Sequence, residues 1–405
     1  MHEGKAFCET VKRALEKKCR LIIAIRHPNG GEPHLLTWFF LFKLRFYAAI
    51  RGIRFPRWPH VLFVYGYEVV RWGGWIPRYV LPNVGAMPVY HSRLDTKGMS
   101  RIYNAIAESP YPLAIAPEGQ VSYTTDSVPR IEPGVIRIGF NAAIHQEKKD
   151  PACPVEILPL SIYFRFGSWG KASVEILLRK TEKYCGFTKK ERKNVSFRQR
   201  LKKCRDYILE INEERYNIKN DDSMPQSFEQ RLDKVANTAL ETAERMLGLK
   251  GEGDYFTRIH KVRQICWDRI CLPGVFDFKS MSRIQRSIKD LEAGQAWYIA
   301  RHKELAEFCW YFKTPVPTDE TPLHNKIEYV QNLHDLANRT MGGSYGHRVN
   351  IFPRKVIIKA APVINLTERL ERYRTDRKTT IADTLADLEK AYIDDINEMN
   401  RTEKG

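Results

Sequence analysis

The chain has 405 residues, 43% of them hydrophobic, and a formal net charge of +18 at pH 7. This length and composition exclude a disordered chain and allow two or more domains with sizeable cores. Residues 1–101 hold 17 Lys and Arg against 6 Asp and Glu, so their surplus is 17 − 6 = +11. Such a surplus indicates an anionic partner: lipid headgroups, nucleic acid or a phosphorylated substrate.

Cysteine spacing and hydropathy indicate the cellular compartment in which the protein is expected. None of the eight cysteines forms a Cys-x2-Cys pair, which argues against a zinc ribbon or a thioredoxin-like site and fits reduced thiols. The first residues lack the apolar core of a signal peptide. No charge-free apolar run reaches the roughly 18 residues that span a bilayer. The sequence therefore predicts a cytoplasmic protein that is at most peripherally associated with a membrane.

Strands and helices are predicted to alternate over the first half of the chain. After an amphipathic helix over 3–18, strands are predicted at 20–26, 61–66, 86–90, 112–116, 155–164 and 173–178. Helices are predicted at 34–52, 97–108 and 133–146. This alternation predicts an α/β fold, with a mostly parallel sheet flanked by helices.

From about residue 195 the pattern changes to long, charged helices. They are predicted at 196–216, 226–248, 254–271, 280–312 and 321–340, followed by a strand at 355–359 and a helix at 379–400. We predict an α/β domain over 1–194, a largely helical region of unknown role over 195–345, and a strand-plus-helix tail over 346–405. The tail either returns to the first domain or belongs to a separate helical bundle, and the sequence leaves both arrangements open.

The candidate catalytic residues lie just after two predicted strands. His27 and Glu32 are five positions apart in a glycine-rich turn that follows an apolar run. A carboxylate beside an imidazole orients it as a general base, although this spacing alone is more typical of a surface pair. Pro117-Glu118-Gly119 follows the predicted strand at 112–116 and alone is more typical of a simple turn. Both segments fall where parallel sheets usually form their ligand crevices.

Four segments in order resemble the motifs of PlsC-type glycerolipid acyltransferases. His27 to Glu32 resembles the His-x4-Asp motif, with Glu in place of Asp. The other three are Gly85 to Arg93, Ile115 to Ser122 around Pro-Glu-Gly, and Ile157 to Ile162. The resemblance covers roughly residues 20 to 180. It departs from the family at Glu32, at His91 where an arginine is usual, and at Gln120 and Val121.

The resemblance implies transfer of a fatty acyl group directly to an alcohol. The expected donor is acyl-CoA or acyl carrier protein, and the expected acceptor is a lysophospholipid or another glycerol-phosphate-like molecule. It implies no metal, no bound cofactor and no acyl-enzyme. His27 is the expected general base and Glu32 its orienting carboxylate. Glu118 and Gly119 are the expected acceptor contacts and Arg93 the expected phosphate contact, with His91, Arg130 and Arg137 as alternatives.

Two points stay open at this stage. Candidate donors to the oxyanion are the backbone N–H groups of Gly30, Gly31 or Gly119. Residues 38–58 interleave aromatic with basic side chains, which fits either contact with an anionic membrane surface or a helix packed on the sheet with its arginines in water.

Two other functions fit the same residues. One is a non-catalytic basic protein that binds anionic lipid. The other is a thioester hydrolase on the same fold, in which water replaces the alcohol. Nucleic acid is not the expected partner, because no nucleic-acid-binding motif is present.

Overall fold

The computed structural model describes residues 4–67, 69–72, 75–90, 95–219, 226–271, 280–343 and 348–402. The chain divides into two units. The sheet unit comprises Met1–Phe164 and Val356–Gly405, and the helical unit comprises Arg165–Lys355.

The elements follow one another in chain order. The strands are β1 Arg20–Ile25, β2 Leu62–Gly66, β3 Ala86–Val89, β4 Leu113–Ile115, β5 Val155–Phe166, β6 Arg354–Ala360 and β7 Ile364–Asn365. The helices are α1 Gly4–Leu15, α2 Glu32–Trp38, α3 Leu44–Ala49, α4 Val69–Trp72, α5 Trp75–Asn83, α6 Thr96–Glu108, α7 Gly134–Lys149, α8 Ser168–Tyr184, α9 Lys189–Arg192, α10 Phe197–Arg215, α11 Phe228–Leu247, α12 Tyr255–Cys271, α13 Arg283–Tyr311, α14 Leu323–Thr340, α15 Leu370–Thr375 and α16 Arg377–Thr402. A π-helical turn, Phe39–Lys43, joins α2 to α3, and a 3-10 turn, Thr367–Arg369, precedes α15.

The sheet has the strand order β3-β2-β4-β1-β5-β6, and β7 pairs with β5 off this path. The pairs β1–β4, β1–β5, β2–β3 and β2–β4 are parallel, whereas β5–β7 is antiparallel. The predicted α/β class, a mostly parallel sheet flanked by helices, is therefore confirmed.

The path of the chain divides the helices between the two faces of the sheet. The steps from β1 to β2 and from β2 to β3 run one way along the strand order, and those from β3 to β4 and from β4 to β5 run the other way. Because such crossovers are right-handed, α2–α5 cover one face and α6–α7 the other. Buried side chains of α6, α7, α15 and α16 share one apolar cluster with Ile22, Ala24 and Ile157 of the sheet.

Central strand β1 is buried along its whole length, which explains the apolar run Leu21–Ile25 that follows Arg20. The side chains of Leu21, Ile23 and Ile25 alternate with those of Ile22 and Ala24, so they point to the opposite face.

The helices of the helical unit begin at sites that the sequence marks clearly. Ser196, Ser227 and Ser282 each cap a helix in a reciprocal capping box with a Gln three residues later, and Thr188 does so with Glu191. Each box satisfies backbone donors that the first turn leaves without partners. Gly248 ends α11 in the left-handed conformation, at φ +69°, which glycine adopts without strain.

Two sequence expectations differ from the structure. The strand predicted at 173–178 is wrong, because these residues lie inside α8. Val174, Leu177, Leu178 and Thr181 are buried at helical spacing, a period that the β-branched residues Val174 and Ile176 obscured. The division between the units falls at 164/165 rather than at the expected 194/195, so α8 belongs to the helical unit, and Val356–Gly405 belongs to the sheet unit.

Within the described residues, no helix combines the length and apolar character needed to cross a membrane.

The tail contributes to the core of the sheet unit through Leu388, which is fully buried in the cluster on the α7 side. We expect Leu388→Ala to lower the free energy of unfolding by about 2–5 kcal/mol, because it leaves a cavity under the sheet. The matched change Ile393→Ala, at an exposed site on the same helix, should alter it by about 0.5 kcal/mol or less. Urea unfolding measures both, and equal effects would contradict a core role for α16.

Candidate active site at the carboxyl edge of the sheet

His27 and Glu118 follow the carboxyl ends of two neighbouring strands. β1 ends at Ile25 and β4 at Ile115, and the two strands pair in parallel. The backbone N–H of Ser122 donates to the carbonyl of His27 at 3.0 Å, so the loop after β4 is joined directly to the turn after β1. The two segments that the sequence singled out thus lie at the same edge of the sheet.

Glu32 begins α2 and its carboxylate reaches back across the glycine turn. His27 Nδ1 lies 2.9 Å from Glu32 Oε2. The backbone N–H of Asn29 donates to Oε1 and that of Gly30 to Oε2, both at 2.8 Å. Gly30 makes this possible because it adopts φ +90°, in the region that glycine tolerates best. Both carboxylate oxygens of Glu32 are therefore bonded within the turn.

The surroundings of His27 favour its protonated form. Burial alone would lower the pKa of His27, but the hydrogen bond to Glu32, the charge of Glu32 and the charge of Glu118 outweigh it, so the pKa is raised above its usual value. With Nδ1–H donating to Glu32, the lone pair of the neutral ring lies on Nε2. The side chain keeps 17% exposure, and no protein group in the described chain bonds Nε2. His27 can therefore accept a proton from a ligand at Nε2.

Arg26, next to His27, is the most heavily bonded side chain of the site. Its Nε donates to Glu118 Oε1 at 3.0 Å. Its other nitrogens donate to the carbonyls of Thr125 at 2.9 Å, Thr124 at 3.1 Å and Ser127 at 2.7 Å. The side chains of Arg26 and Glu118 are 2% and 1% exposed. A buried charge needs such compensation, so Arg26 fixes the loop that carries Glu118.

The tail reaches the same place through α16. Tyr392 donates its hydroxyl to the carbonyl of Ala24 at 2.9 Å, and the Arg26 guanidinium lies 5.9 Å from the centre of its ring. Burial and the nearby charge of Glu118 raise the pKa of Tyr392 well above its usual value, which keeps this hydroxyl a donor.

Sequence reasoning missed both Arg26 and Tyr392. The available signal for Arg26 was a charged residue directly after the apolar run Leu21–Ile25. No comparable signal marked Tyr392.

The Pro-Glu-Gly segment has one oxygen without a partner. No atom in the described chain hydrogen-bonds Glu118 Oε2 or the nearby Ser122 Oγ, although both are buried. Gly119 has φ +70°, and a Cβ there would lie 3.1 Å from Glu132 Cδ. A side chain at position 119 would therefore strain the turn. The expected acceptor contacts by Glu118 and Gly119 stay predictions.

Two of the three proposed oxyanion donors have other partners. The N–H of Gly30 donates to Glu32, and that of Gly119 donates to the carbonyl of Ala116 at 3.2 Å. These two N–H groups hold the local turns closed, so Gly31 is the candidate donor without such a role in the described chain.

The residues expected to contact phosphate fall on different segments of the chain. Arg93 and His91 lie outside the described residues. Arg130 and Arg137 are exposed, on the loop after β4 and in the first turn of α7. No group of three or more His, Cys, Asp or Glu side chains among the described residues is arranged to hold a metal ion.

Comparison with protein-family models, with curated proteins and with solved structures found no match.

Glu32 controls the pKa of His27. We expect the histidine to titrate above its usual value of about 6.5, and Glu32→Gln to lower its pKa, because burial then outweighs the remaining charge. Since the folded-state pKa is raised, protonated His27 stabilises the fold at low pH, and this contribution is lost as pH rises through that pKa. NMR titration of labelled histidine measures the effect. Exposed Glu371→Gln is the control and should change nothing.

Arg26 and Glu118 should behave as a coupled pair. We expect Arg26→Gln to reduce the free energy of unfolding by about 3–5 kcal/mol, because it leaves a buried carboxylate without a counter-charge. Adding Glu118→Gln should recover part of this loss. A double-mutant cycle of urea unfolding gives the coupling energy, and strictly additive effects would contradict the pairing.

Proposed function

We propose that this protein is an O-acyltransferase. It moves a fatty acyl group from acyl-CoA or acyl carrier protein to a hydroxyl of a lysophospholipid or another glycerol-phosphate-like acceptor. The same proposal includes action at the cytoplasmic surface of a membrane, because such acceptors and products are amphiphilic.

The observation that carries the proposal is the His27–Glu32 pair. The carboxylate is buried, bonded at both oxygens and 2.9 Å from Nδ1, so the ring is oriented and its second nitrogen is left for a ligand. A general base needs this combination. The order and content of the four sequence motifs support acyl transfer over other reactions of such a base.

The reaction follows from these groups. The acceptor hydroxyl attacks the thioester carbonyl while His27 Nε2 takes its proton, and Glu32 stabilises the imidazolium. The tetrahedral intermediate then expels the thiolate, the C–S bond breaks, and the proton passes from His27 to the leaving sulfur. The products are an ester and a free thiol, and no acyl-enzyme forms.

The loop after β4 supplies the acceptor side of the proposed site. Glu118 Oε2 and Ser122 Oγ carry hydrogen-bonding capacity that no described protein group uses, so both are candidates to bind acceptor hydroxyls once the loop admits them. Arg93 is the proposed phosphate contact, with His91, Arg130 and Arg137 as alternatives.

The proposal predicts acceptor-dependent release of thiol from long-chain acyl-CoA or acyl carrier protein. Purified protein should release thiol when lysophosphatidic acid or glycerol 3-phosphate is supplied. His27→Ala should reduce the rate by a factor of about 100 to 10,000, the usual contribution of a general base. His145→Ala, at an exposed histidine of α7, is the matched control and should leave the rate unchanged. The rate should also rise with pH as His27 loses its proton.

The other outcomes separate the alternatives. Thiol release that ignores the acceptor would indicate a thioester hydrolase. Full activity of a folded His27→Ala protein would refute His27 as the base. Absence of thiol release with every donor and acceptor would favour a non-catalytic lipid-binding protein.

A further inference from the structure

A set of large apolar side chains of the sheet unit is exposed on the α2–α5 face. Trp38, Phe42, Phe46 and Ile50 recur every four residues along the continuous helical segment from α2 to the C-cap of α3, so they lie along one side of it. Phe46 is 65% exposed and Ile50 is 83% exposed. On the inner side of the same segment, Leu36, Phe40, Leu44 and Ala48 are buried. The segment therefore has two apolar sides, and only one of them packs on the protein.

Helix α5 carries a second set of exposed apolar side chains. None of its residues is buried, and all of them are described. Trp75, Ile76, Tyr79 and Val80 share one side of the helix, and Trp75 is 77% exposed. The handedness of the crossovers puts α5 on the same face of the sheet as α2 and α3. We call Trp38, Phe42, Phe46, Ile50, Trp75, Ile76, Tyr79 and Val80 the aromatic face.

The sequence interval that carries the aromatic face is strongly basic. Between Glu32 and Asp95 the sequence contains a single acidic residue, Glu68, while the basic residues in that interval are Lys43, Arg45, Arg51, Arg54, Arg57, Arg71, Arg78 and Arg93. Lys43 lies 5.5 Å from the ring centre of Trp38, and the Arg45 guanidinium lies 4.9 Å from that of Trp58. Cations are thus held beside exposed aromatic rings.

This combination selects the partner. A protein partner would match exposed apolar groups, but it would need an extended acidic surface to match a band of cations. An anionic bilayer supplies both, because Trp, Tyr and Phe side chains settle at the boundary between headgroups and acyl chains while Lys and Arg pair with headgroups. We propose that the aromatic face is the surface by which this protein docks on a bilayer that contains anionic lipid.

The aromatic face adjoins the candidate active site. Glu32 and Trp38 both belong to α2, and six residues of helix correspond to about 9 Å. A protein docked in this way holds the His27 edge close to the headgroups, where an amphiphilic acceptor would enter. This last step rests on the proposed acyl transfer, whereas the docking itself does not.

The test is flotation with vesicles and needs no turnover. Wild-type protein is mixed with vesicles of phosphatidylcholine, or with vesicles in which a third of the lipid is phosphatidylglycerol. We expect binding to the anionic vesicles, weakening as salt increases. Phe42→Ser combined with Phe46→Ser should weaken it about tenfold or more, because two rings that enter the bilayer on docking are lost. Lys43→Gln should weaken it about fivefold.

Matched controls separate the face from exposure in general. Ile50→Ser should weaken vesicle binding, whereas Ile393→Ser should not, because Ile393 is exposed on α16, which packs against α7 on the other face of the sheet. Exposed Lys378→Gln on α16 is the control for Lys43→Gln. All of these sites are exposed, so circular dichroism should show unchanged folding.

Three outcomes would overturn the proposal. The first is vesicle binding by the Phe42 and Phe46 double variant as tight as that of the wild type. The second is equal binding to neutral and anionic vesicles. The third is absence of vesicle binding together with a self-association that the double variant abolishes, which would assign the face to a second copy of the chain. Loss of thiol release with intact vesicle binding would instead count against acyl transfer alone.

Discussion

The buried guanidinium of Arg26 is the interaction on which the candidate site depends. It binds one carboxylate oxygen of Glu118 and three carbonyls of the loop after β4, and the ring of Tyr392 lies beside it. Taking an arginine out of water is unfavourable unless its donors are satisfied. The fold meets this condition only when the end of β1 and the loop after β4 are together. Formation of the site is thereby tied to formation of the sheet unit.

The electrostatics of the site distinguish its two carboxylates. Glu32 accepts two backbone N–H groups and lies against His27, so its carboxylate is fixed in position to stabilise an imidazolium. Glu118 forms an ion pair with Arg26 through Oε1, and its Oε2 has no hydrogen-bond partner among the described residues. Both charges raise the pKa of His27 against the opposing effect of burial. A base of raised pKa binds the proton of the acceptor more strongly. A smaller fraction of that base is neutral, and so able to take the proton, at neutral pH.

The helices on the two faces of the sheet differ in how much apolar surface they leave exposed. The face under α6, α7, α15 and α16 is closed by a continuous apolar cluster that includes the tail of the chain. On the opposite face, α2 and α3 bury only their inner sides, and α5 buries none of its residues. Aromatic side chains of these helices are exposed to solvent. Monomeric proteins rarely expose apolar surface of this extent without a partner. The basic residues around it explain the uneven charge that was evident in the first hundred residues.

The sequence by itself determined the alternation of strands and helices, the strand ends at which His27 and Glu118 lie, and the pairing of His27 with Glu32. These features depend on residues close in sequence: apolar periods, capping boxes and a glycine turn that spans five positions. Only the tertiary structure decided the strand order, the place of the tail, and the Arg26–Glu118 and Tyr392–Ala24 contacts, whose partners are 92 and 368 positions apart. Such contacts depend on how the whole chain folds back on itself, and local sequence patterns do not determine which distant residues meet.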